Sequence, residues 1–123
     1  MGRPEVDLER VVHGTLFGEA MSSAEIAALL ADDRGYYVAV NDRAVELTGY
    51  TRQKLTQFKA GQLAADDASR GIYENISRGR KMQGRKRVRR KNGEIVELRY
   101  WAIPARVAQM PYYLLLLWNP RPA

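Results

Sequence analysis

The chain has 123 residues, 46% hydrophobic and 28% charged, with a formal net charge of +6. This length gives one domain with a single modest core, and the composition is that of a globular chain rather than a disordered one. The absence of cysteine excludes disulfides, thiolate nucleophiles and thiolate metal ligands, and no segment reaches the roughly 20 apolar residues that span a bilayer.

The N-terminus reads Met1-Gly2-Arg3-Pro4-Glu5-Val6-Asp7, with acidic residues where a signal peptide needs an apolar run. Val6 stands where a myristoylation signal needs Ser or Thr, so a cytoplasmic protein is expected. Pro4 to Ala20 has the pattern of an amphipathic helix: Pro4 near its start, Glu5 and Asp7 at the positive end of the dipole, and Leu8, Val11, Val12, Leu16 and Ala20 at helical spacing. Ser22-Ser23 ends it. The organisation expected is a helix over 1–22 for capping or dimerisation, a domain over 23–119, and a tail over 120–123. The single histidine, His13, lies on that helix with no ligand-type neighbours at fixed spacing and is read as an ordinary side chain.

Ile26 to Ala31 is a short apolar run that suits a buried strand, and Asp32-Asp33-Arg34-Gly35 turns the chain into a β-rich run ending at Val40. At Asn41 the period changes from two to about 3.6, so Asn41 is the expected N-cap of a helix over Asp42–Thr48 that stops at Gly49. Thr51 caps a second helical piece reaching Gln57, with Leu55 and Phe58 facing inward. Asp66 or Asp67 caps a longer helix to about Arg78, with Ala68, Ile72, Tyr73 and Ile76 on its apolar side.

Three strands complete the chain. The first runs from Gln83 to Arg90, and the Asn92-Gly93 pair after Lys91 predicts a hairpin into Ile95–Ala105. A second turn is expected at Gln109-Met110-Pro111. The run Tyr112 to Trp118 then shows no alternation, which predicts a central strand covered on both faces. The fold class is α+β: a five-stranded antiparallel sheet with short helices on one face and the N-terminal amphipathic helix available to the other.

Between Arg78 and Lys91 there are nine basic residues and no acidic one, leaving 11 basic and 14 acidic residues elsewhere. In a strand Arg85, Arg87, Arg89 and Lys91 point one way, and Lys86, Val88 and Arg90 the other. A basic strand suits an exposed sheet edge. It also suits an acidic partner, although no aromatic residues are interleaved for base stacking. Catalysis has little support. Asp66-Asp67 reads as helix capping, Ser22, Ser23 and Ser69 have no histidine partner in a known motif, and phosphate-binding glycine loops are absent.

Strand, cap, short helix and Gly-Tyr stop over residues 35–50 resemble the front half of a PAS domain, the small sensory module of bacterial signalling proteins. The resemblance covers residues 24–119. It rests on Ala31-Asp32-Asp33, Val40-Asn41, Leu47-Thr48-Gly49-Tyr50 with Thr51 and Leu55, and Arg89-Arg90-Lys91-Asn92-Gly93-Glu94. It implies a non-enzymatic sensor with a ligand cavity between the inner sheet face and the 66–78 helix. Val96, Leu98, Tyr100 and Ala102 would line that cavity, with Ile72, Tyr73 and Ile76 opposite; the same side chains would serve equally as core packing. A cysteine-linked flavin, as in the related LOV class, is excluded, and histidine-ligated haem is not expected because the 66–78 helix carries no histidine. Non-covalent flavin beside Trp101 or Trp118 stays open, so the cofactor is undetermined. PAS domains usually pass from the last strand into an Asp-Ile-Thr type motif, whereas here the chain reads Trp118-Asn119-Pro120-Arg121-Pro122-Ala123. Output is therefore expected through the outer sheet face and the N-terminal helix. Leu8, Val11, Val12 and Leu16 are the candidate contacts of a homodimer or of a signalling partner. The alternatives are a ligand-free dimerisation adaptor, or a small nucleic-acid-binding domain whose basic patch is Arg85, Lys86, Arg87, Arg89 and Arg90.

Overall fold

The computed structural model describes residues 25–66 and 82–119. The N-terminal helix with Leu8, Val11, Val12, His13 and Leu16, and the later helix with Ile72, Tyr73 and Ile76, lie outside the described residues.

β1 (Ala27–Ala31) and β2 (Tyr37–Val40) form the expected hairpin, with a register irregularity between Leu30 and Ala31. Asp32 fixes its turn, since its carboxylate accepts from the backbone N–H groups of Arg34 and Tyr36 at 2.9 and 3.0 Å. Helix α1 (Asp42–Thr48) starts at Asn41, whose Oδ1 accepts from Ala44 N–H, and ends at Gly49. Gly49 has φ +82°, a conformation that L side chains rarely adopt, and its N–H donates to Val45 O at 2.9 Å. Thr51 caps α2 as expected, but α2 covers only Arg52–Leu55, and Thr56-Gln57 form a turn. The carbonyl of Leu55 is taken by Phe58 N–H at 3.0 Å, which ends the helix early and leaves Leu55 fully buried.

β3 (Met82–Arg89) and β4 (Ile95–Val107) are joined through Lys91-Asn92-Gly93. Gly93 has φ +92°, Arg90 N–H donates to Glu94 O, and Gly93 N–H donates to Arg90 O, the geometry of a three-residue hairpin loop with glycine at the left-handed position. The β4–β5 turn corrects the sequence expectation. It sits at Ala108-Gln109, both at positive φ (+53° and +68°), and Met110 and Pro111 already belong to β5 (Met110–Trp118). Proline suggested the turn, but Pro111 pairs with Arg106 of β4 and lies beyond the Tyr113–Leu117 stretch that pairs with β1. A ring without an N–H is tolerated in such a one-sided stretch.

The five strands form one sheet in the order β2-β1-β5-β4-β3, with antiparallel pairing throughout. The apolar run of β5 is thus the central strand, as its lack of alternation implied. Its leucines alternate between two packed regions. Leu115 and Leu117 join Ala27, Leu29, Tyr37, Leu55, Val88, Leu98 and Tyr100 on the helix-bearing inner face, whereas Leu114 and Leu116 join Ala28 and Leu30 on the outer face. The segment after α2 ties the two sheet edges together. Tyr37 N–H donates to Phe58 O at one edge, and at the other Ala65 N–H donates to Arg87 O while Arg89 N–H donates to Leu63 O. Both edge strands therefore have part of their free backbone occupied, which limits strand addition there. No helix among the described residues is long and apolar enough to cross a membrane.

Candidate functional site

Strand alternation sends Met82, Gly84, Lys86 and Val88 of β3 to the inner face, opposite Ala102, Tyr100, Leu98 and Val96 of β4. Of the residues predicted to line a cavity, Leu98, Tyr100 and Ala102 are buried in the inner core, and Val96 packs against it half-buried. Gly84 makes room for Tyr100: a Cβ there would meet the ring at 3.6 Å and the hydroxyl oxygen at 4.0 Å, so the tyrosine lies across the bare backbone of β3.

The described residues hold three buried polar or charged side chains, Asn41, Thr48 and Lys86. The first two are accounted for by structure. Asn41 Oδ1 accepts from Ala28 N–H and Ala44 N–H, both at 3.0 Å, and Nδ2 donates to Ile26 O at 2.8 Å. Thr48 Oγ1 donates to Ala44 O at 2.8 Å and accepts from Tyr50 N–H. Lys86 differs. Only 4% exposed, it lies among Val88, Leu98 and Tyr100, and burial pulls its amine down to about 8, against the opposing pull of the Asp66 carboxylate. Neither the Lys86 amine nor the Tyr100 hydroxyl has a hydrogen-bond partner among the described residues. Tyr100 is held above the usual phenol range by burial. Among the described residues no completely enclosed side-chain nitrogen or oxygen lacks a partner, so both of these polar tips keep some accessible surface.

The remaining basic residues have other places. Arg85, Arg87 and Arg89 stand exposed on the outer face of β3, the edge strand. Register brings Arg99 opposite Arg85 and Trp101 opposite Gln83, and on the far side of β4 Trp118 opposite Arg99. Trp101 is 37% exposed. The aromatic residues absent from the basic run in sequence are therefore supplied by β4 and β5, a juxtaposition visible only once strand register is known. Arg90 has a structural task. Its Nε donates to Leu47 O at 2.8 Å, Nη2 donates to Glu46 O at 3.4 Å, and Nη1 pairs with Glu94 at 2.8 Å, so it covers the C-terminal carbonyls of α1 from 43 residues away. An open groove of about 420 Å³ runs between α1 and β4, walled by Leu47, Val96 and Leu98 and rimmed by Arg43, Glu46 and Arg90, charges already paired or bonded to one another's backbone.

Among the described residues no three His, Cys, Asp or Glu side chains gather where they could hold a metal. The geometry offers a packed inner wall with one amine and one hydroxyl, and an outer face graded from apolar to basic.

A family model for the PAS domain matches residues 25–117. The chain belongs to the PAS domain family. A search of curated proteins found no match. Among solved structures, a PAS domain from a two-component sensor histidine kinase superposes with a TM-score of 0.70 at 16% identity, covering 94% of this chain and 97% of that one. The PAS domain of an HTR-like protein from Haloarcula marismortui gives 0.68 at 15% identity over 92% and 94%. A LOV protein from Rhodobacter sphaeroides gives 0.67 at 21% identity over 84% and 63%. At these identities the likeness establishes the fold. A cysteinyl-flavin adduct is unavailable to this PAS domain, which has no cysteine.

Proposed function

We propose that this PAS domain is a non-enzymatic sensory module that takes a small molecule into its core and passes the change to a protein partner through the outer sheet face and the N-terminal segment, acting as a homodimer. One observation carries the reading. The inner wall of β3 and β4 carries an amine and a hydroxyl in a largely apolar region, neither with a hydrogen-bond partner among the described residues and the amine facing the Asp66 carboxylate as its nearest opposite charge, and buried polar groups are ordinarily paired. Output is supported by the central strand, in which consecutive leucines belong alternately to the inner and outer packed regions. A shift at Leu115 or Leu117 is one peptide away from the outer face. Ile72, Tyr73 and Ile76 complete the cavity in this reading, and Leu8, Val11, Val12 and Leu16 form the dimer contact.

Native mass spectrometry of freshly purified protein, paired with an absorbance scan, tests the proposal. An additional mass lost on denaturation supports a sensor, and a visible band restricts the ligand to a chromophore. A clean apo mass supports a ligand-free adaptor instead. The exposed row Arg85, Arg87 and Arg89 beside Trp101 favours a second reading, binding of single-stranded nucleic acid. Affinity falling steeply with salt supports that reading, and charge reversal at the three arginines that leaves all binding intact rejects it.

A further inference from the structure

The outer face of the sheet carries an arrangement of charge that the fold itself does not use. Register sets Arg85 directly opposite Arg99. Arg87 O and Arg89 N–H bond to the backbone of Ala65 and Leu63, so the odd-numbered residues of β3 turn their peptide groups away from β4. Arg85 and Arg99 are therefore a non-hydrogen-bonded pair, the type in which facing side chains come closest, and like charges so placed destabilise a sheet. Neither guanidinium has an ion-pair or hydrogen-bond partner among the described residues. Blunting of a sheet edge accounts for arginine on β3, but Arg99 lies on β4, an internal strand with no edge to protect. Trp101, the next outward residue of β4, is 37% exposed. Two uncompensated guanidiniums beside an exposed indole fit an anion that adjoins an apolar group.

The basic row does not continue as a phosphate track. Arg87 is engaged by Asp66 at 4.0 Å, and exposed Glu97 stands opposite Arg87, between the Arg85–Arg99 pair and Arg89. A nucleic acid carries a charge on every nucleotide and would lay phosphates over Glu97, whereas a peptide can put an uncharged residue there. Stacking of successive bases needs several aromatic platforms, and among the described residues of β3, β4 and β5 only Trp101 is an exposed aromatic.

We propose that the outer face of β3 and β4 docks an acidic peptide segment of a partner protein, with a carboxylate bridging Arg85 and Arg99 and the adjoining apolar side chain against Trp101. The proposal rests on output through the outer sheet face and specifies the chemistry of the partner.

The test is calorimetric titration of the full chain with three probes: a soluble peptide containing Glu-Leu-Glu-Leu-Glu, its glutamine counterpart, and an oligothymidylate of equal charge. The acidic peptide should bind at least about tenfold tighter than the glutamine peptide, the scale of one charge-assisted hydrogen bond, and tighter than the oligothymidylate. Arg85→Gln and Arg99→Gln should each remove most of that preference, and Trp101→Ala should weaken both peptides alike. Each arginine substitution also removes a repulsion within the free protein, so its urea midpoint should equal or exceed that of the wild type. A lower midpoint would show that the pair is already compensated and would overturn the proposal. Equal affinity for the two peptides, binding of neither, or a preference that survives both arginine substitutions overturns it too. Tighter binding of the oligothymidylate assigns the face to nucleic acid instead. Failure here leaves ligand uptake by the core standing, and a clean apo mass removes ligand uptake while leaving this docking site standing.

Discussion

Lys86 and Asn41 are both about 96% buried, but the fold uses them in opposite ways. Asn41 completes its hydrogen bonds by capping α1 and clasping the start of β1 at Ile26 and Ala28. Asn41→Ala removes the cap and strands these backbone groups, with an expected loss of about 2–3 kcal/mol in urea unfolding. Asn41→Asp keeps the acceptor but loses the donation to Ile26 O, so it should fall between Ala and wild type. Lys86 costs stability. In the unfolded chain its amine stays protonated to about 10.5 and in the fold only to about 8. Between those values the unfolded state binds more protons, so this group makes stability rise with pH from about 8 to 10.5, and below 8 its full penalty is present, about 3 kcal/mol. Asp66 is the charged group that offsets it. Lys86→Met should raise stability at pH 7 by about 1–3 kcal/mol and flatten the pH 8–10.5 slope; parallel slopes for the two proteins would contradict this assignment. A residue that weakens the fold at a wall facing accessible space has the character of a functional position. Alternation in the sequence groups Lys86 with Val88 without marking that side as inward, and Lys86 is expected in the exposed basic patch, because a run of nine basic residues gives no local sign that one of them is dehydrated.

At the scale of elements, local chemistry was legible and distant chemistry was not. The capping contacts of Asn41, Gly49 and Thr51 reach groups within four residues, so the bounds of α1 and the start of α2 follow from side-chain type, whereas the bonds of Asn41 to Ile26 and Ala28 appear only in the fold. Arg90 cannot be read that way, because its acceptors Glu46 and Leu47 become neighbours only when the β3–β4 hairpin packs on α1. The β4–β5 turn escaped because no glycine or asparagine marks it. Ala108 and Gln109 adopt left-handed φ values that alanine and glutamine disfavour, and the adjacent proline drew the expectation two residues too far. Replacing the pair by Asn-Gly should relieve this strain and stabilise the protein by about 1 kcal/mol, visible as a higher urea midpoint at unchanged m value. A midpoint at or below wild type would show that the turn is not of the positive-φ type.

The whole molecule is a sheet with two different faces, and its central strand belongs to both. The order β2-β1-β5-β4-β3 puts the uninterrupted leucine run at the centre, while the basic edge strand and the tryptophans of β4 and β5 lie to one side of the outer face. Most of this arrangement follows from the apolar run and the hairpin signals. The meeting of Trp101 and Trp118 with Arg85 and Arg99 required the register. The same alternation makes the sheet its own reporter. With leucine methyls isotopically labelled, Leu115 and Leu117 read the inner face and Leu114 and Leu116 the outer one. The most direct measurement of core sensing is an NMR titration of that sample with octanoate, a small amphiphile that serves as a probe of the core. The account predicts intermolecular NOEs from the probe to Leu98, Leu115 or Leu117, together with shifts but no NOEs at Leu114 and Leu116. NOEs confined to the outer pair, or outer methyls that stay unmoved when the core is occupied, would contradict it.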